Sequence, residues 1–84
     1  MRIAGIETSA SLIAQLALRL HTAGETALSW HVGRAVDHDL DEVDLSYCDC
    51  KDIVRVLKEP PAGLETIYGA LQREASATKS GARR

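Results

Sequence analysis

Two cysteines, one residue apart, lie in an acidic stretch of the chain. The segment DLSYCDCKD, residues 44–52, places Cys48 and Cys50 among carboxylates. Thiolates and carboxylates are metal ligands, and an exposed thiol can be a redox centre. If Ser46 caps a helix, however, the two cysteines lie about 200° apart around its axis and cannot share a metal ion or a relaxed disulfide. We therefore predict that the cysteines bind no metal and that Cys50 is buried. Cys48 is the candidate reactive thiol.

The acidic connection before the cysteines has part of the pattern of a calcium-binding loop. Asp37, Asp39 and Asp41 occupy positions one, three and five of an EF-hand. That loop also needs a glycine at position six and a bidentate glutamate at position twelve. This chain has Glu42 and Cys48 there. We therefore interpret the segment as a solvated acidic connection.

No set of residues points to catalysis or to a cofactor. His31 falls on the apolar face of a predicted helix, where no acidic residue at helical spacing orients it. The chain contains no glycine-rich phosphate loop, nucleophile elbow or zinc-protease motif. We therefore predict that the protein is not an enzyme and has no cofactor or small-molecule substrate.

Size and composition limit the architecture. A chain of 84 residues, 45% apolar and 26% charged, suits one small globular domain. Its longest apolar stretch is broken by Gln15 and Arg19, so we expect neither a membrane span nor a signal peptide. Two unpaired cysteines favour a reducing, cytoplasmic location. We predict a helical domain at 1–76 and a disordered basic tail at 77–84, which has no large apolar residue.

The first half of the chain has the pattern of a helical hairpin. Thr8 or Ser9 can cap a helix whose end is marked by Gly24. A second helix follows from about residue 25 to residue 36. The connection between the two helices is so short that they must pack antiparallel. Leu18 falls off the apolar face of the first helix, so its side chain has no obvious place in the core.

The second half begins with the clearest helix start in the sequence. Ser46 can cap the third helix, and Asp49 can complete a capping box. Leu45 and Cys50 have the spacing of a hydrophobic staple.

A pair of prolines separates the third helix from the fourth. The third helix should end at Lys58 or Glu59, because the residue before Pro60 is driven out of the helical region. Pro61 can then open the fourth helix, where its missing N–H costs nothing.

The run LSYCDCKDIVRVLKEPPAGLETIYGAL, residues 45–71, resembles the C-terminal half of a group of short uncharacterised bacterial helical proteins. The resemblance is carried by a capped helix, the PPAGL turn and a second helix, with apolar residues Ile53, Val56, Leu57, Ile67 and Leu71. It implies a helical fold and brings no activity or functional residue with it.

Together these features predict a mainly α fold, a compact bundle of about four short helices. Residues 2–6 and 41–45 are expected to form a minor two-stranded β ribbon. Two hairpins, 9–36 and 47–76, should face each other across a shared core. Its predicted members are Leu16, Leu20, Val32, Cys50, Ile53, Leu57, Leu64 and Leu71.

The function that we predict is protein–protein association, as a homodimer or as an adaptor or regulatory subunit. Four short helices carry more apolar residues than one face each can bury. The predicted interface residues are Leu18, Trp30, Val56 and Tyr68. Two alternatives stay open: a nucleic-acid-associated regulator that uses the basic C-terminal tail, and a redox sensor that uses the Cys48 thiol. Nucleic acid is the less favoured partner, because Arg34 is the only full positive charge on the second helix and a nucleic-acid site needs several cations.

Overall fold

The described residues form four helices and a small three-stranded sheet. A computed structural model describes the backbone of residues 1–82 and the side chains of residues 1–76. The elements are β1 (Arg2–Ile3), β2 (Ile6–Glu7), α1 (Ala10–Thr22), α2 (Thr26–Asp37), β3 (Glu42–Val43), α3 (Tyr47–Leu57) and α4 (Glu65–Ala82). The predicted mainly α fold with a minor β component is confirmed. The predicted basic tail, 77–84, lies outside the residues whose side chains are described.

The first hairpin starts and turns as the sequence predicts. Ser9 Oγ accepts a hydrogen bond from the Leu12 N–H at 3.2 Å and so caps α1. Gly24, at φ +89°, takes up the left-handed conformation after the helix. The N–H groups of Gly24 and of the next residue donate to two carbonyls of the last turn, the pattern of a Schellman motif. This turn sends α2 back along α1.

The sheet has one strand more than the predicted ribbon. β1 pairs in parallel with β3, with Ile3 opposite Val43, within the two segments expected to pair. The chain also turns back after β1, so that β1 pairs antiparallel with β2. The turn residues Ala4 and Gly5 have φ of 51° and 82°, as a two-residue type I′ turn requires. This hairpin was not predicted, because alanine rarely adopts a positive φ.

The predicted capping box at the start of α3 is confirmed. Ser46 Oγ accepts a hydrogen bond from the Asp49 N–H, and Asp49 Oδ2 accepts one from the Ser46 N–H, both at 3.1 Å. Leu45 packs against the core cluster that contains Cys50. The start of α3 therefore fixes the direction in which both cysteines point.

The start of α4 differs from the prediction. Pro61 does not open the helix, which begins at Glu65. Instead the Leu64 N–H donates to the Pro61 carbonyl at 2.9 Å, and Gly63 has φ +87°. A positive φ at the third residue is typical of a type II turn. Because Gly63 is in the left-handed region, a right-handed helix cannot start before it.

The core is aliphatic and lies between the two hairpins. α1 packs mainly on α2 and α3 mainly on α4, while α1 also contacts α3. Seven of the eight predicted core residues are buried, and Leu57 is partly buried. No helix within the described residues combines the length and the apolar character needed to cross a bilayer.

Candidate functional site

The two cysteines occupy opposite environments, as predicted. Cys48 is exposed, and Cys50 is only 2% exposed. Burial raises the pKa of the Cys50 thiol to about 11, because its thiolate would lose hydration; the carboxylates of Glu74 and Asp49 add to the effect. Within the described residues, no three His, Cys, Asp or Glu side chains are grouped to hold a metal ion. Chemistry at a thiol is therefore confined to Cys48.

We expect iodoacetamide to modify one thiol in each native chain and two in each unfolded chain. The raised pKa of Cys50 makes its thiolate about a hundredfold scarcer near neutral pH, and burial slows its reaction further. Intact-mass measurement counts the adducts. Native Cys48→Ser should lose its labelling, whereas native Cys50→Ser should keep it. Equal native labelling rates at the two positions would contradict the burial of Cys50.

His31 lies outside the core, which corrects its predicted place on the apolar face of α2. Its side chain is exposed, and its Nε2–H donates a hydrogen bond to the Asp44 carbonyl. The residue is three positions from Leu28, at the edge of the buried stripe rather than within it. The ring therefore fastens the segment after β3 to α2.

Two of the four predicted interface residues are exposed and line the same groove. Leu18 on α1 is 63% exposed, and Trp30 on α2 is 69% exposed. Both line one groove along the outer face of the α1–α2 hairpin. We call this groove, with Leu18 and Trp30, the hairpin face.

The other two predicted interface residues are elsewhere. Val56 is partly buried and lines a separate groove beside Pro60 and Pro61. Tyr68 is 5% exposed, and its hydroxyl donates to the Val54 carbonyl at 3.3 Å. A residue in the core cannot contact a partner, so the inclusion of Tyr68 in an interface is wrong. Its hydroxyl ties α4 to α3 instead.

The hairpin face is an open groove of about 330 Å³ with an apolar floor. Ala17 and Gly33 form the floor, and a Cβ added at Gly33 would lie 4.0 Å from the Ala17 Cβ. Ser29 also lines the groove, but its hydroxyl donates to the Ala17 carbonyl at 2.7 Å. Small floor residues between two large apolar walls leave room for an apolar side chain from another molecule.

Charged groups line the groove beside its apolar walls. Arg34 and Asp37 lie along the same side of α2 as Trp30. Among the described residues, neither takes part in an ion pair or a side-chain hydrogen bond. Surfaces that bind proteins typically combine exposed apolar side chains with polar and charged groups in this way.

A third exposed apolar residue, Leu40, was not predicted. It is 50% exposed and lines a neighbouring groove with Arg34. It follows Asp39, which has φ 52° and ends α2 in the left-handed conformation that glycine provides after α1. The sequence does contain a signal for this helix end, because aspartate, like glycine, can adopt the left-handed conformation after a helix.

No protein-family model, curated protein or solved structure matches the chain. The resemblance of residues 45–71 to short bacterial helical proteins stays a prediction.

Proposed function

We propose that the protein is a non-catalytic cytoplasmic module that binds another protein chain through its hairpin face. The observation that carries this proposal is that Leu18 and Trp30, 63% and 69% exposed, line one apolar groove. Removing apolar surface from water contributes about 25 cal/mol per Å². Tryptophan is also among the residues that most often dominate binding energy at interfaces.

The fold itself does not need these two side chains. The core cluster consists of other residues, and no side-chain nitrogen or oxygen atom buried within the described residues lacks a hydrogen-bond partner. A single exposed leucine is ordinary on a protein surface. Two large apolar side chains on a common groove form a patch, and a patch of this kind is typical of an interaction site. This supports binding rather than incomplete packing.

The hairpin face favours a protein over a nucleic acid. Arg34 is accompanied by Asp37 in the groove, so the two full charges cancel. A nucleic-acid site needs several cations to neutralise phosphates. The basic tail at 77–84 and the redox sensor at Cys48 stay predictions, for which the groove offers no support.

Site-specific photo-cross-linking in native extract tests the proposal. A benzophenone side chain at Leu18 should form an adduct with another chain, because this position would lie inside the interface. The same group at Thr66, which is exposed on α4, is the matched control. A second substitution, Trp30→Asp, should abolish the Leu18 adduct while circular dichroism reports an unchanged fold. Equal adduct yields from Leu18 and Thr66, or a Leu18 adduct that survives Trp30→Asp, would refute the proposal.

A further inference from the structure

We infer that the hairpin face binds a second copy of this chain, across a two-fold axis that places each Trp30 against Arg34 of the other copy. This inference rests on the proposed function, because it assigns the partner of the same surface. It adds the identity of the partner and the geometry of the contact.

The spacing of Trp30 and Arg34 makes this surface complementary to itself. The two residues are four positions apart on α2, so they lie one helical turn apart on one face. Both side chains are exposed, and both line the same two grooves. When two copies of α2 cross antiparallel about an axis midway between these positions, residue 30 of each faces residue 34 of the other. A two-fold interface of this kind repeats one contact twice.

The chemistry of the pair is attractive and is unused within one chain. A guanidinium group over an indole ring is attracted by the negative face of the π-system. Among the described residues, a cation–π contact forms between Lys51 and Tyr47, with Lys51 Nζ 5.6 Å from the centroid of the Tyr47 ring. Trp30 and Arg34 form none, and Arg34 has no ion pair there either. A second copy would supply each with its partner.

The groove can receive the partner's indole ring. Gly33 lies between Trp30 and Arg34 in the sequence and has no side chain to hold the helices apart. Leu18 forms the opposite wall, so a Trp30 ring from the other copy would pack between an aliphatic wall and a small-residue floor. Each copy contributes one such ring and one such groove, as a two-fold axis requires.

The outer side of the α1–α2 hairpin, which carries the hairpin face, is small for a dimer interface. Helices of 13 and 12 residues make this outer side about 20 Å long and about 20 Å wide. That area is below the roughly 800 Å² per partner of a standard stable interface. We therefore expect a reversible dimer with a dissociation constant on the order of 10–100 μM, in the range of weak complexes.

Sedimentation of the full chain measures the dimer directly. The wild-type chain should shift from monomer to dimer as its concentration rises through the expected dissociation constant. Trp30→Ala and Arg34→Ala should each weaken the dimer about tenfold, because each removes both symmetric contacts. Arg55→Ala removes an exposed arginine from α3 and should leave the dimer unchanged.

Mixing the two variants tests the reciprocal geometry. A heterodimer of Trp30→Ala and Arg34→Ala chains retains one of the two Trp–Arg contacts, whereas each variant homodimer retains none. Trp30 is the only tryptophan, so the fluorescence of the Arg34→Ala chain alone reports burial. Its emission should shift to the blue when excess Trp30→Ala chain is added, at concentrations where the Arg34→Ala chain by itself is monomeric.

The outcomes separate this inference from the proposed function. A chain that stays monomeric at millimolar concentration, but whose Leu18 position cross-links to a different protein, overturns the second-copy inference and leaves the proposed function standing. A monomer without any specific cross-link overturns both. A dimer that is insensitive to Trp30→Ala, or a variant mixture without a blue shift, overturns the two-fold geometry. Weakening by both variants with recovery on mixing supports it.

Discussion

Replacing Ile53 with alanine is expected to lower the free energy of unfolding by about 2–5 kcal/mol. Ile53 on α3 is fully buried in the core cluster. Its truncation removes apolar contacts and leaves a cavity that the surrounding helices can close only in part. A domain of this size has only about 5–15 kcal/mol of stability in total, so the loss should be evident in urea unfolding at room temperature.

Arg55→Ala, two residues along the same helix, is the matched control for Ile53→Ala. Arg55 forms an ion pair with Asp52 at 3.0 Å, and the two side chains are 68% and 46% exposed. Exposed pairs of this kind typically contribute less than about 1 kcal/mol. Comparable losses for the two variants would mean that Ile53 does not lie in the core.

Gly24→Ala is expected to lower the free energy of unfolding by about 1–2 kcal/mol. Gly24 has φ +89° at the turn between α1 and α2, and a Cβ added at this position would meet no other atom within 4 Å. The penalty therefore comes from the backbone conformation and not from a clash. Thermal or urea unfolding measures the change.

Gly33→Ala, in the middle of α2, is the matched control and should act in the opposite direction. Gly33 has helical backbone, and a Cβ there would make only an ordinary contact with Ala17, at 4.0 Å. Alanine should therefore stabilise the helix by about 0.5–1 kcal/mol. If Gly24→Ala left stability unchanged or raised it, as Gly33→Ala is expected to do, the left-handed conformation assigned to Gly24 would be wrong.

The features predicted correctly are those that neighbouring residues determine. Ser46 and Asp49 form the capping box because both groups lie within one helical turn, so their types and spacing are sufficient. The left-handed end of α1 at Gly24 is equally local. Burial of Cys50 and exposure of Cys48 followed from the position of that helix start.

The features predicted incorrectly depend on contacts between distant elements or on unusual backbone conformations. Tyr68 was predicted to lie in an interface, but it is buried, and the Val54 carbonyl of α3 accepts a hydrogen bond from its hydroxyl. The turn at Ala4 and Gly5 adds strand β2 to the sheet. The sequence does not predict this turn, because alanine rarely adopts a positive φ. Leu18 and Trp30 lie on different helices, so the sequence could predict the exposure of each but not that they share one groove.

The parallel pairing of β1 with β3 has a consequence for how the chain folds. Ile3 meets Val43 across an intervening loop that contains the entire α1–α2 hairpin. Closing a loop of about 40 residues costs on the order of 3 kcal/mol in chain entropy, and a ladder of two-residue strands returns little by itself. The helical hairpins form from contacts close in sequence and so form faster. The sheet is therefore expected to pair late, after the helices have brought Ile3 and Val43 together, and the burial of both side chains in the core then stabilises the pairing.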